Sequence, residues 1–206
     1  MFIRYLWSDP RLFFSAILIV VLSVSCHEFM HAFVALKMGD DTAARRGHLT
    51  LNPLKQMGWL SLVMLLFLGI AWGQVPVNPA NFRSRYGRVL TSLAGPLTNF
   101  ALWVLFTVGA FVCFKAEIGE FAVAMLTYGA VMNLVLFVFN LLPVPGLDGF
   151  SIVAEVFPEL LRSESETVKG AFFVLAVLLF VFIDKLFELA RVATGFLLLL
   201  FDGGCK

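Results

Sequence analysis

Residues 12–36, 57–73, 89–114 and 121–142 are runs of mostly apolar side chains. Each is long enough, or nearly so, to cross a bilayer core of about 30 Å, which takes about 20 helical residues. No other feature restricts the fold as strongly. In lipid every backbone N–H and C=O must find its partner inside the protein, so such runs form helices unless surrounding protein covers them. A fifth apolar region, 168–201, is interrupted by Asp184, Lys185, Glu188 and Arg191. It reads as one span plus a surface helix, or as two short spans. The expected fold class is an all-α polytopic membrane protein with about five to six transmembrane helices.

Composition agrees, since 60% hydrophobic and 14% charged residues lie outside the soluble range. The lipid bilayer is the first expected partner. A formal charge of +1 gives no basic field, which argues against nucleic acid. Cys26, Cys113 and Cys205 stand at no metal-ligand spacing and read as small apolar residues. The N-terminus has features of a secretory signal: Arg4 and Arg11, an apolar core, then small residues before Cys26. Apolar character resumes in Phe33-Val34-Ala35-Leu36, so 12–36 is read as one uncut helix.

Inside that helix lies His27-Glu28-Phe29-Met30-His31, an HExxH sequence. His27 and His31, four residues apart, project from one helical face with Glu28 beside them. Two neutral imidazoles and a third protein ligand are the donor set of a zinc hydrolase. The ion acidifies a water to a pKa of about 7, and Glu28 is placed to take its proton as general base. In a soluble helix the same residues would form a solvated polar stripe. At bilayer depth each costs at least about 2.5 kcal/mol unless paired or functional. A bound divalent cation offsets the carboxylate charge and engages both imidazoles.

The third ligand must come from far along the chain, and His48, Asp148, Glu155 and Asp184 are the candidates. His48 sits in a polar loop. Asp148 is favoured because Asn140-Leu141-Leu142-Pro143-Val144-Pro145-Gly146-Leu147-Asp148-Gly149 breaks a membrane helix with two prolines and two glycines. Broken helix ends occur where a cavity receives them. Leu49-Thr50-Leu51 before Asn52-Pro53 suggests a short strand and turn, and Val75-Pro76-Val77-Asn78-Pro79 is extended. Such backbone enters a bilayer only under protein cover, so these loops are expected to line that cavity.

HEFMH, AGPLTN at 94–99 and NLLPVPGLDG at 140–149, in that order, resemble the site-2 protease family of intramembrane zinc metalloproteases in its compact, single-domain prokaryotic form. The GHLTLNPLK and QVPVNPANFR segments are similar to those of its short members. The resemblance implies one Zn²⁺ held by His27, His31 and Asp148, with Glu28 as catalytic base and Asn140 orienting substrate or oxyanion. It further implies a single integral-membrane domain over 1–206, with a catalytic core at 12–155 and a C-terminal helical region at 168–201. The partner it implies is a transmembrane protein or peptide substrate. Two departures stand out: Gln56-Met57-Gly58-Trp59 replaces a His-Ile-Asp-Pro-like run, and Gly146 stands where proline is common.

Shared coordination demands equal depth. With Leu12 at one face, His27 and His31 lie roughly 22 and 28 Å along the helix, near the opposite face. Single crossings by 57–73, 89–114 and 121–142 would strand Asp148 on the wrong side. Residues 57–88 are therefore expected to leave and return to one face as a re-entrant or short β-hairpin element. This gathers Lys37, Arg45, Arg46, Lys55, Arg83, Arg85, Arg88, Arg162 and Lys169 at the site's end, against Arg4, Arg11 and Lys115 at the other. The positive-inside rule makes the site's end cytoplasmic, in the cell's inner (plasma) membrane.

The function expected is hydrolysis of peptide bonds in or near transmembrane segments. Rival readings are a catalytically silent scaffold and a metal or ion transporter. A transporter would want more ionisable groups along 89–114 and 121–142, where there are almost none before the ends. Gly109, Ala110 and Gly129 permit close helix contacts but leave the oligomeric state open.

Overall fold

A computed structural model describes residues 2–158, 170, 172, 174–175, 177–178 and 181–203. Its principal helices are α1 (Pro10–Lys37), α2 (Gly58–Leu68), α3 (Gly87–Lys115), α4 (Glu120–Asn140), α5 (Asp148–Val156) and α6 (Ile183–Gly203). Among the described residues, α1, α3 and α4 are long and apolar enough to cross a membrane, against the five to six spans expected. Much of 168–182 lies outside the described residues, as do Arg162, Lys169 and Cys205.

Local chemistry sets where α1 begins. Pro10 occupies its first turn, where a missing N–H costs nothing, and the Asp9 carboxylate caps the end by accepting from Leu12 N at 3.0 Å. Lys37 closes the last turn, where a cation suits the helix dipole. α1 packs across α3 and α4, which run side by side. That pairing is close: a Cβ on Gly129 of α4 would stand 3.1 Å from the Phe106 ring of α3, tighter than ordinary contact. The small residues thus serve contacts inside the chain. α6 joins them through Trp103 Nε1, which donates to Thr194 Oγ1 at 3.1 Å, and through Ala190 against Val131 and Val135.

The segment between α1 and α3 differs in part from expectation. α2, at 11 residues, rises about 16 Å, half a bilayer core. The chain then returns extended, and Gln74 N donates to Gln56 O at 3.0 Å, so it comes back to the level at which it left. Ser61 clips the two limbs together, donating to Trp72 O at 2.7 Å and accepting from Trp72 N at 2.9 Å. No strand forms among the described residues, at 49–51 or elsewhere. The reason at 49–51 is competition: Gln56 Nε2 donates to the carbonyls of His48 (2.8 Å) and Thr50 (2.5 Å) that a ladder would need. The side chain at the first departure position is a clasp for this loop.

Asp40 ties the loop after α1 to the returning limb. Its carboxylate, wholly buried, accepts from Thr42 N (3.0 Å), Thr42 Oγ1 (2.5 Å), Asn78 N (2.6 Å) and Asn81 Nδ2 (3.0 Å). Burial alone would raise its pKa, but these donors favour the charged form and hold it below the ordinary carboxylate range. Arg83 N donates to Met38 O at 2.9 Å in the same joint.

Candidate metal centre

The C-terminal third of α1, the first turns of α3, the end of α4 and the start of α5 meet around one cavity of about 510 Å³. His27, Glu28, His31, Asn140 and Asp148 all line it. Both histidines and Glu28 are buried. His27 Nε2 and His31 Nε2 are 3.0 Å apart, Asp148 Oδ2 lies 3.1 Å from the former, and Asp148 Oδ1 lies 3.2 Å from the latter. Among the described residues these three form the group that could hold a metal ion.

The outward-facing nitrogens sharpen that reading. His31 Nδ1 lies 2.6 Å from the carbonyl of Thr91, which can only accept, so this nitrogen carries the proton. His27 Nδ1 lies 2.6 Å from Asn99 Oδ1. With Nδ1 of both rings so engaged, the two Nε2 atoms face one another and a carboxylate, an arrangement that a shared proton or a metal cation between them relieves. Zinc bonds of about 2.0–2.2 Å give tetrahedral edges of roughly 3.3–3.6 Å, a few tenths of an ångström above the observed separations of 3.0, 3.1 and 3.2 Å. The residues present therefore fit Zn²⁺.

Two glycines make room. A Cβ on Gly95 of α3 would collide with Nε2 of both His27 and His31, so only glycine lets α3 approach the ligand face of α1. A Cβ on Gly73 would collide with Cγ, Cδ and Oε1 of Glu28, so the returning limb passes directly over that carboxylate. Gly146 has φ +95°, which the fixed ring of proline cannot reach, so the turn leading to Asp148 takes a different path from a proline-bearing one.

The other candidate ligands go elsewhere. Glu155 Oε2 lies 3.6 Å from Arg88 Nη1, joining α5 to the first turn of α3. His48 sits beside Gln56 and Asp184 on α6, neither of them in the cluster. Asn140 lies on the cavity wall with its Nδ2 donating to Leu136 O at 3.0 Å. Gly73, Gly95, Thr91, Asn99 and Asn133 were missed as site residues by sequence reasoning. Asn99 and Asn133 carried a readable signal, since an amide at the middle of an apolar helix needs a partner.

Residues 115–183 match peptidase family M50. The chain is 33% identical over 189 residues to "Putative zinc metalloprotease YwhC" of Bacillus subtilis, covering 86% of this chain and 85% of that protein. It is 34% identical over 165 residues to "Putative zinc metalloprotease Rip2" of Mycobacterium tuberculosis, covering 77% of this chain and 63% of that one. Its counterpart of the same name in Mycolicibacterium smegmatis is 36% identical over 169 residues, covering 77% and 64%. No solved structure matches the chain.

Proposed function

The chain belongs to peptidase family M50, and from that premise we propose that it is an intramembrane zinc metalloendopeptidase that cleaves peptide bonds in or near transmembrane segments of other proteins. Zinc is the cofactor that membership implies. His27, His31 and Asp148 would hold the ion, which when bound acidifies a water and polarises the scissile carbonyl. The single observation that carries the reading is the convergence of three ligand atoms, from helices over a hundred residues apart in sequence, on a cavity that also contains Glu28.

Glu28 supplies the proton transfers. Beside the ligands and buried under the backbone at Gly73, its carboxylate takes a proton from the attacking water and delivers it to the leaving amine. Asn140 offers an amide on the cavity wall for substrate orientation. A helical peptide bond is shielded by its own hydrogen bonds, so the substrate must unwind to enter. The extended limb at 73–77 borders the cavity and can hold an unwound segment by backbone pairing.

Residues 12–155 make up the catalytic core of one membrane domain, with α2 and its return limb as a re-entrant element. The end of α1, the start of α3 and the end of α4 share the site's face, together with Lys37, Arg45, Arg46, Lys55, Arg83, Arg85 and Arg88. By the positive-inside rule that face is cytoplasmic and the membrane is the plasma membrane. The test is cleavage of a membrane-protein substrate by purified protein in detergent or liposomes. Zinc-dependent cleavage abolished in Glu28→Gln is expected. Activity unchanged in that variant removes the mechanism.

A further inference from the structure

A polar thread runs from the metal centre into the middle of the helix bundle. His27 Nδ1 meets Asn99 Oδ1 at 2.6 Å, and Asn99 Nδ2 donates to Asn133 Oδ1 at 2.9 Å. Asn133 Nδ2 donates to Gly129 O at 2.9 Å and to Ser23 Oγ at 2.8 Å. Asn99, Asn133 and Ser23 are wholly buried, on α3, α4 and α1 respectively.

The direction of this thread is fixed from its far end. A side-chain amide can face either way, so Asn99 alone leaves open whether it accepts from His27 or donates to it. Gly129 contributes a backbone carbonyl, which can only accept. Asn133 must therefore present its NH₂ to Gly129, and so its Oδ1 to Asn99. Asn99 must then give its NH₂ to Asn133 and its Oδ1 to His27. An acceptor facing Nδ1 places the proton on Nδ1 and leaves the Nε2 lone pair for the cavity. His31 needs no such relay because Thr91 offers its carbonyl directly.

We propose that Asn133 is a positioning residue for the metal centre: acting through Asn99, it selects the tautomer of His27 that presents Nε2 to zinc. The inference rests on the reading of His27 as a zinc ligand. It assigns a task to the costliest polar side chain of α4, since an amide buried at bilayer depth is unfavourable unless every hydrogen-bonding group is engaged. Here both of its polar atoms are engaged. Outer partners of metal-bound histidines act in this way elsewhere, orienting the ring and fixing its proton.

The test measures zinc affinity of full-length protein by chelator competition, with melting of the metal-free form as the control for folding. Asn133→Leu is expected to bind zinc about 10–100-fold more weakly than the unaltered protein. In Asn99→Asp/Asn133→Leu the carboxylate accepts from His27 whichever way it turns. That double variant is expected to recover affinity to within about threefold of the unaltered protein, a non-additivity that a packing defect would not produce. A double variant no better than the single one overturns the proposal, as does an Asn133→Leu that folds and binds zinc normally. The chain has three histidines, so nitrogen-15 spectra of the zinc-loaded unaltered protein give an answer that needs no variant. His27 is expected to carry its proton on Nδ1, and a proton-free Nδ1 sinks the idea. Full zinc affinity in His27→Ala would instead remove the ligand reading itself.

Discussion

The backbone at Gly73 lies against the carboxylate of Glu28 so closely that no side chain fits between them, and Gly95 stands in the same relation to the Nε2 atoms of His27 and His31. Two glycines from different elements thus guard two different parts of one site. Their substitutions should separate proton transfer from metal binding.

Gly73→Ala is expected to displace Glu28 and lower kcat about 100-fold while zinc remains at one per chain, since misplacing a catalytic group by about 1 Å costs that much. Gly95→Ala should push α3 away from the ligand face of α1 and weaken zinc binding at least about tenfold. Metal analysis beside a cleavage assay distinguishes the two. Equal zinc loss in both variants would contradict this division of labour.

Much of this site was legible in the sequence, for a physical reason. His27, Glu28 and His31 belong to one helix, and a period of 3.6 residues is enough to place them on a face. Asp148 could be chosen because prolines and glycines break a membrane helix only where a cavity receives the break. The close approaches at Gly73 and Gly95 were not legible, because they depend on how separate elements dock. The strand expected at 49–51 failed for a similar reason: its alternating pattern was genuine, but the Gln56 side chain eight residues from His48 took the carbonyls first. Among the described residues α1, α3 and α4 have the length and hydropathy of a span, while α2 is too short to cross and charges interrupt the apolar pattern of α6.

Asp40 gives a pH dependence whose sign follows from its environment. Its folded pKa lies below the ordinary carboxylate value of about 3.9. The stability it contributes is therefore complete above that value and is lost as pH falls through the lower folded pKa. Asp40→Ala leaves the buried donors from Thr42, Asn78 and Asn81 unmatched and is expected to cost about 3 kcal/mol at neutral pH. Melting curves of both proteins should lie well apart at pH 7 and draw closer as pH falls below the ordinary carboxylate range. A gap that widens on acidification would show the sign to be wrong.

Single cysteines at positions 46, 85 and 115, in a background with Cys26, Cys113 and Cys205 replaced by Ser, test the return of the chain between α1 and α3. The bond from Gln74 N to Gln56 O places both ends of that segment at one level. Arg46→Cys and Arg85→Cys should label with an impermeant thiol reagent from one side of the membrane, the cytoplasmic one, and Lys115→Cys from the other. Labelling of 46 and 85 from opposite sides would require a full crossing in between.

Zinc removal should reveal how far the ion ties the helices together. The three candidate ligands come from α1 and α5, and α5 reaches the rest of the fold by the turn at 141–147, the Arg88 to Glu155 ion pair, the Phe150 ring against Phe172 and its packing on α3, among other contacts. A ligand that binds only the folded state raises stability in proportion to the logarithm of its free concentration over Kd, about 4 kcal/mol at a thousandfold excess. A chelator should therefore lower Tm of the unaltered protein by several degrees. It should leave Asp148→Ala, expected to hold well under one zinc per chain, almost unmoved. With the metal gone, the facing Nε2 lone pairs and the Asp148 carboxylate lose their common partner, and α5 should then exchange its amide hydrogens faster than α1. Equal exchange in both helices, or a chelator shift that persists in Asp148→Ala, would mean that the carboxylate is not among the groups holding the ion.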